Sequence, residues 1–143
     1  MTCIAWDGKT LAADKQTTNN GLRRTTTKIH RVGSSLVAFS GGLDQGMLML
    51  EWIRGGCVRA DFPPSQRDKD DWTPVMVIAQ DRIVRAYERT PTPVVFEDRQ
   101  YAMGCGRDYA MAAMYLGCSA QRAVEVACAL DVHCGNGIDV LEL

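Results

Sequence analysis

Met1-Thr2 is the stretch of this 143-residue chain with the most chemistry in it. An initiator methionine is usually trimmed when the next residue is as small as threonine. Trimming here would leave Thr2 carrying a hydroxyl and a free α-amine on one residue. A threonine hydroxyl is a poor nucleophile until a base takes its proton, and an α-amine of pKa about 7.7–8 is poised for that near neutral pH. Three more marked positions follow in order: Asp14, a carboxylate closing a short strand-like segment, Lys28 in a β-branched segment, and Gly41-Gly42 after an apolar one. Taken singly, Asp14 reads as a turn former and Lys28 as a solvated charge. Their order behind Thr2 is what makes them candidates for one site.

The elements that must position these residues can be read from patterning. Residues 1–6 read as a strand with no leader in front of it, Asp7-Gly8 as a tight turn, and residues 10–14 as the returning strand. Residues 15–25 are polar and contain Asn19-Asn20-Gly21, a loop or irregular ribbon. Alternation predicts strands over 26–32 and 35–40, with Gly33-Ser34 between them. Asp44 opens a helix that ends at Gly55-Gly56, and residues 57–72, with Pro63-Pro64, read as a loop. A second hairpin spans 74–80 and 83–88, a strand 94–103, and helices 107–116 and 119–130, the latter capped by Ser119. Gly135-Asn136-Gly137 turns into a last strand, 138–143. Hairpins outnumber crossovers, so the sheets are expected to be mainly antiparallel with helices on their outer faces.

Bulk properties exclude several classes. The length suits one domain, residues 1–143, and 46% hydrophobic with 23% charged residues is ordinary globular composition. A net charge of −1 argues against nucleic acid, and no apolar run is long enough for a membrane span. The six cysteines include no CxxC pair and sit mostly in apolar segments, as free thiols do in a cytoplasmic protein. His133-Cys134 lacks the Cys/His spacing of a zinc site, so no metal and no cofactor is expected. Gly104-Cys105-Gly106 has Tyr109 where a nucleotide fingerprint needs its third glycine.

The ordered segments LAADKQTT, TTTKIHRV, LVAFSGGLD, YAMGCGRDYAMAAM and ALDVHCGNGIDV resemble proteasome β-type subunits, the bacterial HslV peptidases in particular. These are N-terminal-nucleophile (Ntn) hydrolases. The resemblance implies an α+β fold, a four-layer αββα sandwich with two mainly antiparallel sheets. Here the first helix layer would be reduced, because the family's extra helix between Gly55 and Pro74 is replaced by a loop. It implies that Thr2 is the nucleophile, that Lys28 supports its deprotonation, that Asp14 holds Lys28, and that the Gly41 N–H forms the oxyanion hole. Cys105, Asp131 and Cys134 fall where the family usually places Ser, Asp and Ser around the terminal amine. Gln16 and Thr18 fall where a strand holds the substrate backbone, and Phe39 and Leu43 at the side-chain pocket. His30, two residues from Lys28 on the same strand face, would join that pocket.

The activity implied is threonine endopeptidase action on peptides or unfolded polypeptide, inside a homo-oligomeric ring or double ring. It would depend on removal of Met1, and an ATP-dependent unfoldase is a conceivable partner. The rival readings are an inactive ring subunit of the same fold and an amidase acting on a small amide. Ala110, Ala112 and Ala113, with Met111 and Met114, are expected to offer a helix face to a neighbouring subunit.

Overall fold

The two sheets stack through side chains that alternate strictly along each strand. In the computed structural model, which describes residues 1–143 apart from Lys69 and Asp71, strands β1 (Ile4–Trp6), β2 (Thr10–Asp14), β10 (Tyr101–Met103) and β11 (Ile138–Glu142) form one antiparallel sheet, ordered β10-β1-β2-β11. The second runs β5-β6-β7-β8-β9, from Ile29–Val32, Ser35–Phe39, Val75–Ile78, Val84–Tyr87 and Val94–Phe96. Ile4, Trp6, Leu11 and Ala13 from the first sheet meet Ile29, Leu36, Ala38, Met76 and Ile78 from the second in a core between them.

The alternate residues face outward into helices, as a period of two requires. Cys3, Ala5 and Ala12 pack under α3 (Arg107–Tyr115) and α4 (Ala120–Leu130). Val37, Phe39 and Val75 pack under α1 (Leu43–Arg54). The result is a four-layer αββα sandwich. Asp7, in the β1–β2 turn, accepts from the Ala120 N–H at 2.8 Å, and Ser119 caps the same helix from the Arg122 N–H, so the tight turn also fixes where α4 starts.

Several elements depart from the sequence reading. Residues 15–25 contain a two-stranded hairpin, β3 (Gln16–Asn19) and β4 (Leu22–Thr25), not an irregular ribbon. Asn20 and Gly21 both hold positive φ, 50° and 78°, as a two-residue hairpin turn requires. The strand expected over 26–32 starts only at Ile29, so Lys28 sits just before it. The stretch 94–103 is two strands, β9 and β10, which pair in different sheets and carry the chain across the sandwich. Residues 57–72 are not only loop: a 3-10 turn at Arg59–Asp61 and a short helix, α2 (Pro64–Asp68), cover the side of α1. In α3, Ala110, Ala113 and Met114 are buried against the chain's own α4 and do not face outward, while Ala112 and Met111 remain exposed.

Candidate active site

Lys28 and Asp14 are both fully buried and form an ion pair at 2.8 Å, so neither is the solvated charge or simple turn former it could have been. Burying an unpaired charge is costly, and the pair is stable here because the carboxylate is saturated with donors. Asp14 Oδ1 accepts from Lys28 Nζ and from the Cys3 N–H, each at 2.8 Å, while Oδ2 accepts from the Gln16 and Gly135 N–H groups at 3.2 and 3.0 Å. This carboxylate therefore ties together the start of β1, the start of β3 and the turn before β11.

Thr2 lies immediately before β1 and is buried. Its Oγ1 donates to the Met1 carbonyl at 2.6 Å, and Lys28 Nζ donates to the same oxygen at 3.3 Å. Thr2 is held from the other side by the turn after β10. Its carbonyl accepts from the Gly106 N–H at 3.1 Å. Gly104, at φ 92°, passes so close that an added Cβ would stand 2.1 Å from the Thr2 carbonyl oxygen, so only glycine fits there.

The Thr2 nitrogen meets Cys105, and Cys134 and Asp131 gather around that thiol. The Thr2 N–H donates to Cys105 Sγ at 3.2 Å, and Cys105 Sγ lies 3.9 Å from Cys134 Sγ. The two sulfurs and an Asp131 carboxylate oxygen all fall within 4.8 Å of one another. The His133 N–H, bonded to Asp131 Oδ1 at 2.8 Å, is the main cause holding that carboxyl below its ordinary range. Burial, reinforced by the charge of Asp14, pushes the Cys134 thiol well above the usual thiol range. The same two causes push Cys3 up to about 12, which leaves it an inert core thiol.

Gly41 and Gly42 form the turn from β6 into α1, and Gly41 holds φ 110°. With Leu43 and Asp44 they make one wall of an open cleft of about 620 Å³, whose other wall includes Thr17, Thr18 and Thr25 of the β3–β4 hairpin. The cleft thus lies between an element the sequence showed and one it did not. The turn is braced from behind. Thr73 Oγ1 donates to the Gly42 carbonyl at 3.0 Å. Gln66, fully buried on α2, donates to the Thr73 and Glu88 carbonyls and accepts from the Thr73 N–H. Nothing in the sequence marked Gln66 or Thr73, since a glutamine beside Pro63-Pro64 reads as surface loop.

Of the residues expected to meet substrate, Thr18 and Leu43 line this cleft. Gln16 is buried, and its side-chain amide donates to the Val132 carbonyl, away from the cleft. Phe39 is 1% exposed and wedged under α1 against Gly46, because its strand parity points it into the helix layer, and it is not among the residues lining the cleft. His30 is half-buried and stacked on Phe39 with ring centroids 5.7 Å apart, and it is not among the residues lining the cleft.

This sandwich, with a threonine just ahead of its first strand and near a buried lysine–aspartate pair, has the architecture of the Ntn-hydrolase fold, in its proteasome-type form. Solved structures with the same fold include BPH from Thiobacillus denitrificans in complex with epoxomicin, 22% identical with a TM-score of 0.74, covering 100% of this chain and 99% of that one. A further structure of the same BPH matches at 22% identity and TM-score 0.73, over 100% of this chain and 98% of that one. The eukaryotic HslV of Trypanosoma brucei matches at 18% identity and TM-score 0.70, over 99% of both chains. No protein-family profile and no curated protein sequence matches this chain. Among the described residues, no helix is long and apolar enough to cross a membrane.

Proposed function

We propose that the chain is a threonine endopeptidase of the proteasome type, with Thr2 as nucleophile once Met1 has been removed. The observation that carries this reading is the shared oxygen. Thr2 Oγ1 and the buried Lys28 ammonium both bond the Met1 carbonyl, so its removal leaves hydroxyl and ammonium as each other's neighbours. Asp14 keeps Lys28 in place, and the ammonium favours an alkoxide at Thr2 while disfavouring protonation of the nearby amine. In the reaction the α-amine takes the hydroxyl proton, Oγ1 adds to the scissile carbonyl carbon, and the oxyanion forms against the Gly41 N–H. The C–N bond then breaks as the amine returns the proton to the leaving nitrogen. Water releases the acyl group from Thr2 by the same route in reverse. Loss of one oxyanion donor typically costs about 3–4 kcal/mol in the transition state, so the bracing of the Gly41 turn matters as much as the nucleophile.

The cleft is open and, at about 620 Å³, has more room than a small amide needs, which suits a peptide chain. Assembly into a ring would place Thr2 in a chamber that admits unfolded chains only. A second reading, a non-catalytic subunit, is favoured only by a chain that keeps Met1, whose carbonyl would then hold Thr2 and Lys28 as described. Mass spectrometry of the purified N-terminus separates the two readings. A chain starting at Thr2, cleaving a fluorogenic peptide and blocked by epoxomicin, supports the peptidase. Equal turnover by Thr2→Ala and the parent chain rejects it.

A further inference from the structure

The family resemblance places hydroxyl side chains where this chain has Cys105 and Cys134, and the structure shows what those thiols could do together. We propose that Cys105, Cys134 and Asp131 form a site for a soft divalent cation of the zinc class, completed by the Thr2 α-amine when Thr2 is the N-terminal residue. Metal binding would then occupy the base of the reaction and switch it off. The fourth ligand rests on the function proposed above, and the three side-chain ligands do not.

The spacing is that of a ligand shell. Zinc–thiolate bonds of about 2.3 Å at tetrahedral angles place two sulfurs about 3.8 Å apart. Cys105 Sγ and Cys134 Sγ are 3.9 Å apart. With a zinc–nitrogen bond of about 2.0 Å the matching N–S edge is about 3.5 Å, and the Thr2 nitrogen lies 3.2 Å from Cys105 Sγ. The Asp131 oxygen lies within 4.8 Å of both sulfurs, against about 3.5 Å for the matching O–S edge, so a side chain at a helix end needs at most about 1.3 Å of adjustment. A disulfide would instead need the sulfurs at about 2.05 Å, an oxidant, and no use for a carboxylate or an amine.

Two glycines make the cluster possible. A Cβ on Gly106 would stand 3.0 Å from Cys134 Sγ, and one on Gly104 would displace Thr2. The His133 N–H orients the Asp131 carboxylate as an outer partner orients a ligand. Approach from solvent is open on two sides, through exposed Cys105 and through a cavity of about 300 Å³ lined by Asp131, Cys134 and Gly135. No oxidation is involved: the cation displaces one proton from each thiol, giving two thiolates and a carboxylate around a dication.

The test uses the chain starting at Thr2, reduced and freed of metal with a chelator, and titrated with zinc chloride alone by calorimetry. One equivalent is expected to bind, and cobalt chloride should give thiolate charge-transfer bands with tetrahedral d–d bands. Cys105→Ser and Cys134→Ser should each weaken binding at least tenfold. Asp131→Asn, which leaves both thiols in place, should do the same with unchanged circular dichroism, and Cys57→Ser should have no effect. The chain that retains Met1 should bind at least tenfold more weakly. Stoichiometric binding that survives the double variant Cys105→Ser/Cys134→Ser, or no binding at all, would overturn the site. Equal affinity with and without Met1 would overturn the amine ligand and with it the switch. Thiol-dependent binding by a chain with no peptidase activity would uphold the metal site and reject only the proposed function.

Discussion

Lys28 and Asp14 can be buried together because the carboxylate gathers three backbone N–H donors besides the ammonium. Lys28→Met keeps the stem and deletes the charge, leaving a buried anion without its cation. Breaking a buried pair in this way costs about 3–5 kcal/mol, and the remaining donors put this case at the lower end. Urea unfolding should show that loss, and peptide hydrolysis should vanish with it. Lys15→Ala removes only a partly exposed pair with Asp139, so it should cost less than about 1 kcal/mol and spare activity. A sensitive Lys15 and a tolerant Lys28 would reverse the assignment. His30 gives a prediction in pH. Burial, then the charge of Arg54, lowers its pKa below the ordinary 6.5, and its Nε2 is buried without a hydrogen-bond partner among the described residues. A base with a depressed folded pKa contributes stability above its unfolded pKa, and loses it as pH falls through the folded value. Unfolding free energy should therefore decline as pH drops below about 6.5, and His30→Phe, which keeps the ring on Phe39, should flatten that slope.

At the scale of elements, helix α1 lies on its sheet through a glycine. A Cβ on Gly46 would meet the Phe39 ring at 2.2 to 2.7 Å, deep in the layer where neither side can yield. Gly46→Ala should destabilise by about 1–3 kcal/mol as overpacking does. Gly55→Ala, at the end of the same helix and with only ordinary contacts, should stay within about 0.5 kcal/mol, and thermal melts of the two would compare them. The short helix α2 acts on the site at a distance. Gln66→Leu removes the brace on Thr73 and hence on the Gly42 carbonyl, which should loosen the Gly41 turn and, under the proposed function, the oxyanion donor it carries. We expect kcat to fall about tenfold, or 1.4 kcal/mol, with KM little changed, which steady-state kinetics on a fluorogenic peptide would report. A change in KM alone would assign Gln66 to substrate binding instead.

For the whole molecule, the exposed apolar residues say where a neighbour would lie. Ala110, Ala113 and Met114 are spent on the chain's own core, so the helix face once expected to pair outward is only its Met111–Ala112 edge. The large exposures are elsewhere: Tyr115 and Leu116 at the end of α3, 85% and 82% exposed, Leu130 at the end of α4, and Val132 just beyond it. Exposed apolar surface marks interaction sites where such residues form a patch. Under the ring reading, Leu116→Glu should shift sedimentation toward smaller species while Met111→Gln has a lesser effect. A parent chain that sediments as a monomer with full peptidase activity would exclude the chamber.

What the sequence by itself determined is whatever rests on local period and order. Alternation in 10–14 and 35–40 set the strand parity that builds both cores, and the apolar stripes set three of the helices. The succession of Thr2, Asp14, Lys28 and Gly41 named candidates for one site, because each ends or borders an element and such ends gather at one edge of a sandwich. Only the tertiary structure decided what depends on partners distant in sequence. It split 94–103 between two sheets, since a continuous β-branched run carries no mark of where its pairing changes. It turned Phe39 into core and removed His30 from the cleft lining, since strand parity names two faces but not which one a helix covers. It also brought Cys105 to the Thr2 nitrogen across more than a hundred residues of chain, with Asp131 and Cys134 beside that thiol. Ligand spacing along a sequence cannot show such a cluster, because the turn that carries Cys105 and the helix end that carries Asp131 meet only when the sandwich closes.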